Sequence, residues 1–243
     1  MRLLAAAATA ASLVVIAGSL LIGAGCSSKD STPLVAPKTP TDTGTVVEET
    51  PPVEDTAPWL TYPPGPYGNT KDATFPPLEM DGYKGGEGGE WTKIRMIDYY
   101  DPDGSRGVYA IFYVVSAEWC GPCREEAAKL PGFFTNLYKP RGAAFINGII
   151  ENNSHKPADQ PTIDRWIKAF HTNFDIALDL DGQSLPPSSG IPRNYVINPR
   201  DMKIYKVLEG ENPAATSVPG LKVLLDYNGA PAAPTVSDAG TSD

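Results

Sequence analysis

The segment that most constrains this chain is a junction. Tyr109–Val115 is an unbroken apolar, aromatic and β-branched run, the composition of a strand buried on both faces. Trp119-Cys120-Gly121-Pro122-Cys123 follows, and then Arg124-Glu125-Glu126-Ala127-Ala128-Lys129-Leu130, which is rich in helix formers. Two cysteines therefore sit where a buried strand turns into a helix. A helix N-terminus offers unpaired N–H groups and partial positive charge. Both favour the thiolate, a minor form of a free thiol whose pKa is about 8.5. Two intervening residues keep the sulfurs close enough to close a ring. Cys120, at the edge of the turn, is expected to be the exposed attacking thiol. Cys123, one turn into the helix, is expected to be shielded and to resolve. Pro122 suits a first turn, where its missing N–H is no loss.

Other uses of such a pair fit less well. A zinc site needs a second ligand pair, but the chain has 3 cysteines and 2 histidines, and His155 and His171 lack ligand spacing to the pair. A haem attachment site needs His after the second cysteine, where Arg124 stands. A structural disulfide across two residues closes too small a loop to add much stability. The sequence therefore implies a redox-active disulfide, Cys120 with Cys123, with no metal and no organic cofactor.

The third cysteine reads differently. Arg2 precedes an uncharged, apolar and small-residue stretch, Leu3–Gly25, which ends Gly23-Ala24-Gly25-Cys26. That is the pattern of an export signal. It resembles a bacterial lipoprotein signal, in which Cys26 becomes the lipid anchor; Gly23 departs from the aliphatic residue usual there. The alternative is an uncleaved membrane helix, for which the stretch is about long enough. Residues 1–25 are thus read as a signal peptide and 26–58 as a disordered Pro/Thr-rich tether. Residues 59–90 are read as an irregular lead-in, 91–228 as the domain and 229–243 as a disordered tail. Gly85–Glu90 lacks the Lys-Ser/Thr of a phosphate loop and is expected to be flexible.

Within the domain, Ala143–Ile150 is a second buried-strand candidate. Gly121–Tyr138 reads as a helix bent at Pro131-Gly132. Ile163, Trp166, Ile167 and Phe170 make one apolar helix face. Phe174–Leu180 reads as a strand, Tyr195–Ile197 and Lys203–Val207 as a hairpin, and Val218–Tyr227 as a closing helix. The order β-β-α-β-α-β-β-β-α implies a central mixed sheet flanked by helices on both faces, an α/β class.

Here a family is recognisable. The five residues Trp119–Cys123 are similar to the motif of thioredoxin. The wider pattern, Ala117–Glu126 together with Ser189-Gly190-Ile191-Pro192-Arg193-Asn194-Tyr195-Val196-Ile197-Asn198-Pro199, resembles the membrane-anchored TlpA/ResA-like thiol–disulfide oxidoreductases. The resemblance covers roughly Trp91–Asn228 and implies a thioredoxin-like fold. It implies that Pro192 is a cis-proline facing the cysteines, with Ile191 before it; cis bonds are credible only before proline. It implies that Glu126 lies near the buried sulfur, either as proton acceptor for Cys123 or simply as a first-turn acid. Trp119, Gly121 and Pro122 complete the surroundings. Three residues depart from the pattern: Val114 stands where thioredoxin has a buried acid, Ala128 where a helix proline is usual, and Arg193 where a small residue is usual. Arg193 is expected to bias partner choice or to help stabilise a thiolate.

The resemblance implies an extracytoplasmic disulfide reductase. Cytochrome c maturation is one family role. The alternatives are a disulfide oxidase or isomerase, or a non-catalytic binding module, including one that handles a metal. Expected partners are protein disulfides, a membrane thiol electron donor and, through the N-terminal lipid, the bacterial membrane, facing the periplasm or the cell exterior. The chain is expected to act as a monomer. A formal charge of −9 repels nucleic acid.

Overall fold

The computed structural model describes residues 61–180, 182, 184–186, 189–210 and 218–233. The expected signal peptide, the Cys26 anchor, the tether and residues 234–243 of the tail lie outside the described residues. No helix among the described residues is long and apolar enough to cross a membrane.

Seven strands form one sheet in the order β2-β1-β5-β4-β3-β6-β7. Strand β3 (Ala110–Ser116) lies inside it, between β4 and β6, and is buried at every position as its composition requires. Strand β4 (Ala143–Ile149) runs parallel to it from Ala110↔Ala143 to Ser116↔Ile149, and β5 (Asp175–Leu178) runs parallel to β4. On the other side β6 (Arg193–Asn198) pairs antiparallel with β3, and β7 (Lys203–Glu209) with β6. This is the hairpin expected around Asn198–Asp201.

The helices also follow the sequence. Between β3 and β4 run α1 (Gly121–Ala127) and α2 (Leu130–Phe133). The break between them, Ala128–Lys129, comes two residues before the expected bend at Pro131-Gly132, which lies within α2; Pro131 has no N–H for the carbonyl of Ala127. Helix α3 (Gln160–Phe170) starts at a capping box in which Asp159 and Thr162 each satisfy the other's backbone N–H. It buries Ile163, Trp166 and Ile167, and it stops at His171, which is in the left-handed conformation. Helix α4 (Leu221–Tyr227) closes the fold.

The two faces carry unequal cover. Ala110, Phe112 and Val114 of β3 face α2 and α4, and Ile149 and Ile176 face α1 and α3. The four α-helices among the described residues therefore lie on one face of the sheet. The cause is topological: β3, β4 and β5 succeed one another in one direction, and right-handed crossovers then place both connections on the same side. The opposite face, with Ile111, Tyr113, Val115, Tyr195 and Ile197, is covered by Phe75, Leu78 and the 3-10 turn Met96–Tyr99.

The lead-in is likewise more ordered than expected, and the sheet begins before Trp91. Strand β1 (Glu79–Lys84) pairs with β5, and β2 (Glu90–Arg95) pairs with β1. The glycine run between them is a docked turn. A Cβ on Gly86 would lie 2.1 Å from the carbonyl oxygen of Thr172, so the backbone reaches that contact only with glycine. Glu87 N–H donates to the same oxygen at 2.6 Å. Upstream, the backbone N–H of Phe75 donates to Met202 and that of Asp72 to Ile204, which fastens the lead-in along β7.

Candidate active site: a dithiol at the start of α1

Cys120 and Cys123 are joined in a disulfide. Cys120 is the N-cap of α1, and its Sγ accepts the backbone N–H of Cys123 at 3.1 Å. Helix α1 has only seven residues, so this direct N–H, rather than a long helix's dipole, is what favours negative charge on that sulfur. Pro122 stands in the first turn, as expected. Gly121 has nothing within 4 Å of where a Cβ would be. Space inside the molecule does not demand glycine there.

Burial does not separate the two sulfurs as expected. Cys120 is 3% exposed and Cys123 1%. Cys120 is covered because the loop before β6 folds onto it: its Sγ lies 3.7 Å from the carbonyl oxygen of Ile191. The Ile191–Pro192 bond that follows is cis. From below, Ala117, Ile149, Ile163 and Trp166 pack against the pair.

The turn before α1 is held by charge. Glu118 is buried, and its carboxylate receives Arg165 Nε at 2.7 Å, Arg165 Nη2 at 2.8 Å and the Asn153 N–H at 3.0 Å. The Arg165 guanidinium holds the Glu118 carboxyl below the usual carboxylate range, against the opposing effect of burial. Trp119 remains 40% exposed beside the disulfide. Its indole N–H donates to Glu151 at 2.7 Å, and its ring stacks on His155 with centroids 4.7 Å apart. Glu118, Arg165, Glu151 and His155 were not singled out as site residues in the sequence, because their pairings cross 32 to 47 residues or join two loops.

Glu126 is fully buried on α1, one turn after Cys123, and accepts Asn194 Nδ2 at 2.7 Å. Val114 faces Asn194 in the register of β3 with β6. The buried polar pair, on the same side of α1 as Cys123, thus comes from α1 and β6, where β3 carries only Val114. Asn194 had one signal in the sequence: it lies two residues after Pro192 in a strand, on the face opposite Arg193 and Tyr195.

Arg193 does not take the role expected of it. Its side chain is 6% exposed and is spent on an ion pair with Glu209 and a 2.8 Å hydrogen bond to the Tyr195 hydroxyl. It lies on the sheet face away from α1, because alternation along β6 puts it with Tyr195 rather than with Asn194. No group of three His, Cys, Asp or Glu among the described residues is placed to hold a metal.

No family model matches this chain, and no curated protein matches it. Solved structures do resemble it. One, from Chlorobium tepidum, is assigned as a thiol:disulfide interchange protein DsbE, with 20% identity over 65% of this chain and 97% of that one and a TM-score of 0.48. StoA of Bacillus subtilis has 19% identity over 63% and 98%, with a TM-score of 0.39. A reduced 2-Cys peroxiredoxin of Plasmodium vivax has 11% identity over 66% and 95%, with a TM-score of 0.47. The fold rests on the chain's own topology. A β3-α1-β4 crossover carries the disulfide at the start of α1, an antiparallel β6-β7 hairpin and α4 follow, and a cis Ile191–Pro192 bond lies against Cys120. This chain has an α/β thioredoxin-like fold.

Proposed function

We propose that this protein is a thiol–disulfide oxidoreductase of the TlpA/ResA-like kind, and that it works as a reductase of protein disulfides outside the cytoplasm. The observation that carries the reading is the Cys120–Cys123 disulfide at the N-cap of α1, with the Cys123 N–H on Cys120 Sγ and the cis-proline loop against it. In the reduced protein that N–H favours a Cys120 thiolate. The thiolate attacks a substrate disulfide, forms a mixed disulfide and expels one substrate thiolate. Cys123 then attacks Cys120 Sγ, the protein disulfide closes, and the second substrate sulfur leaves. Two electrons have passed to the substrate, so a thiol donor at the membrane must restore the dithiol. The exposed Trp119 and the bare Gly121-Pro122 edge form the approach. Glu126 takes the Cys123 proton.

The direction follows from Gly121-Pro122, which resembles thioredoxin, a reductant at about −270 mV, rather than an oxidant near about −120 mV. The export signal and Cys26 support a lipoprotein held at the bacterial membrane, facing the periplasm or the exterior. Reduction of cysteines for haem attachment in cytochrome c is one role such a location suits.

The test is equilibration of the full chain with glutathione, together with insulin turnover. A reductase has a midpoint well below about −200 mV and reduces insulin, and Cys120→Ser abolishes that turnover. A midpoint near the DsbA value makes the protein an oxidase. An inert wild-type chain leaves a binding module.

A further inference from the structure

Asn194 is completely buried on β6, facing α1. Its Nδ2 donates to Glu126 Oε1 at 2.7 Å. Its other amide atom, Oδ1, is also buried and meets no donor among the described residues. A buried carbonyl oxygen without a donor costs stability. Its cross-strand neighbours are Val114 and Leu208, so a leucine at 194 would sit among its own kind at no such cost. The amide therefore needs a use beyond packing.

We infer that Asn194 is a positioning residue that holds the Glu126 carboxyl beneath Cys123 in both of its protonation states. This rests on the dithiol reading given above. While Glu126 is ionised, Nδ2–H donates to it and stabilises the charge. When Cys123 attacks the mixed disulfide, its S–H bond breaks and the Cys120–Cys123 bond forms. The bond from Cys120 to the substrate breaks, and the substrate sulfur leaves with the electron pair. The Cys123 proton passes to Glu126. The new carboxylic acid has an O–H to place in a fully buried site, and Asn194 Oδ1 accepts it. An apolar side chain would remove this donor from the anion, and a carboxylate would add a second negative charge. An amide serves both forms because it carries a donor and an acceptor side by side.

On α1, Cys123 lies one turn before Glu126, and Lys129 lies three residues after it, past the helix end. From β3 and β7 come Val114 and Leu208, which do not titrate. Ser116 and Asn147, further along the same face, bond to each other.

The experiment uses the full chain and measures two rates against pH. One is attack by Cys120 on a disulfide, isolated in Cys123→Ser. The other is resolution of the mixed disulfide by Cys123. Asn194→Leu removes the donor and keeps the burial, so Glu126 holds its proton to higher pH. Resolution at pH 7 is expected to fall about tenfold, and its pH profile to move upward, while attack by Cys120 stays unchanged. Glu126→Gln is expected to slow resolution at least as much, and adding Asn194→Leu to it to change the rate less than about twofold. Asn194→Ser keeps a donor and an acceptor in less volume, and is expected to retain the wild-type pH midpoint. It carries the test if the leucine variant does not fold. A loss equal at every pH, or the same loss in the Glu126→Gln background, overturns the inference while leaving exchange by the wild type intact. A wild type that exchanges no disulfides takes both readings down.

Discussion

Glu118 and Arg165 make an unequal pair. The Glu118 side chain is 4% exposed and the Arg165 side chain 54%. Removing the arginine strands a buried carboxylate, whereas removing the acid leaves a cation already half in water. Arg165→Ala is therefore expected to cost about 2 kcal/mol and Glu118→Gln about 1 kcal/mol, measured by urea unfolding at pH 7. The pH dependence has a definite sign. The folded-state pKa of Glu118 is lowered, so its contribution is complete above the ordinary carboxylate range near about 4.3 and is lost as pH falls through it. Wild-type stability should drop as pH falls below about 5, and part of that drop should vanish in Arg165→Ala. Equal costs for the two substitutions would show that the pair does not secure the turn before Cys120. At this scale the sequence was legible where chemistry sits in one short motif. Cys120 caps α1, Pro122 stands in its first turn and the Ile191–Pro192 bond is cis, while Cys120 is as buried as Cys123. It was not legible where a partner comes from far along the chain, as Arg165 does for Glu118 and Asn194 for Glu126.

Among the elements, the strands that could be read directly are those buried on both faces, β3 and β4, whose unbroken apolar runs leave little choice. Strand β1 was hidden because Glu-Met-Asp-Gly-Tyr-Lys carries three charges and a glycine. Only Met80 and Gly82 of it are buried, and Gly82 shows no hydrophobic signal. That glycine is nonetheless required by its neighbour. A Cβ there would stand 2.2 Å from the Ile176 carbonyl oxygen and 2.7 Å from Ala177 Cα, inside the β1–β5 pairing. Gly82→Ala is expected to destabilise the domain by about 1–3 kcal/mol, read as a lowered Tm, and to speed hydrogen exchange in β1 and β2 before the central strands. Uniform exchange would show that the hairpin is not held through Gly82. The share of helix on each face was hidden for a related reason. The succession of strands and helices was correct from Trp91 onward, but the face each helix takes depends on strand order, which periodicity does not contain.

For the molecule as a whole, an α/β sheet with its α-helices on one side needs cover on the other. The Thr61–Leu78 lead-in provides it, with Phe75 fully buried and its ring 5.0 Å from Tyr113 and 5.3 Å from Tyr195. Phe75→Ala is expected to cost about 3–5 kcal/mol by urea unfolding, as for any large aromatic removed from a core. A loss below about 1 kcal/mol would mean that the lead-in merely rests on the sheet. The same face carries Tyr195 of β6, three residues from Pro192, so the lead-in also supports the strand that brings the cis-proline to Cys120. The most direct test of the central claim, a directional exchange through this dithiol, is trapping. The reduced full chain is mixed with a disulfide-bonded protein, once as Cys123→Ser and once as Cys120→Ser, and the adducts are mapped by mass spectrometry. The account predicts a stable mixed disulfide through Cys120 in the first variant and none in the second. Adducts through Cys123 in the second, or none in either, would contradict it.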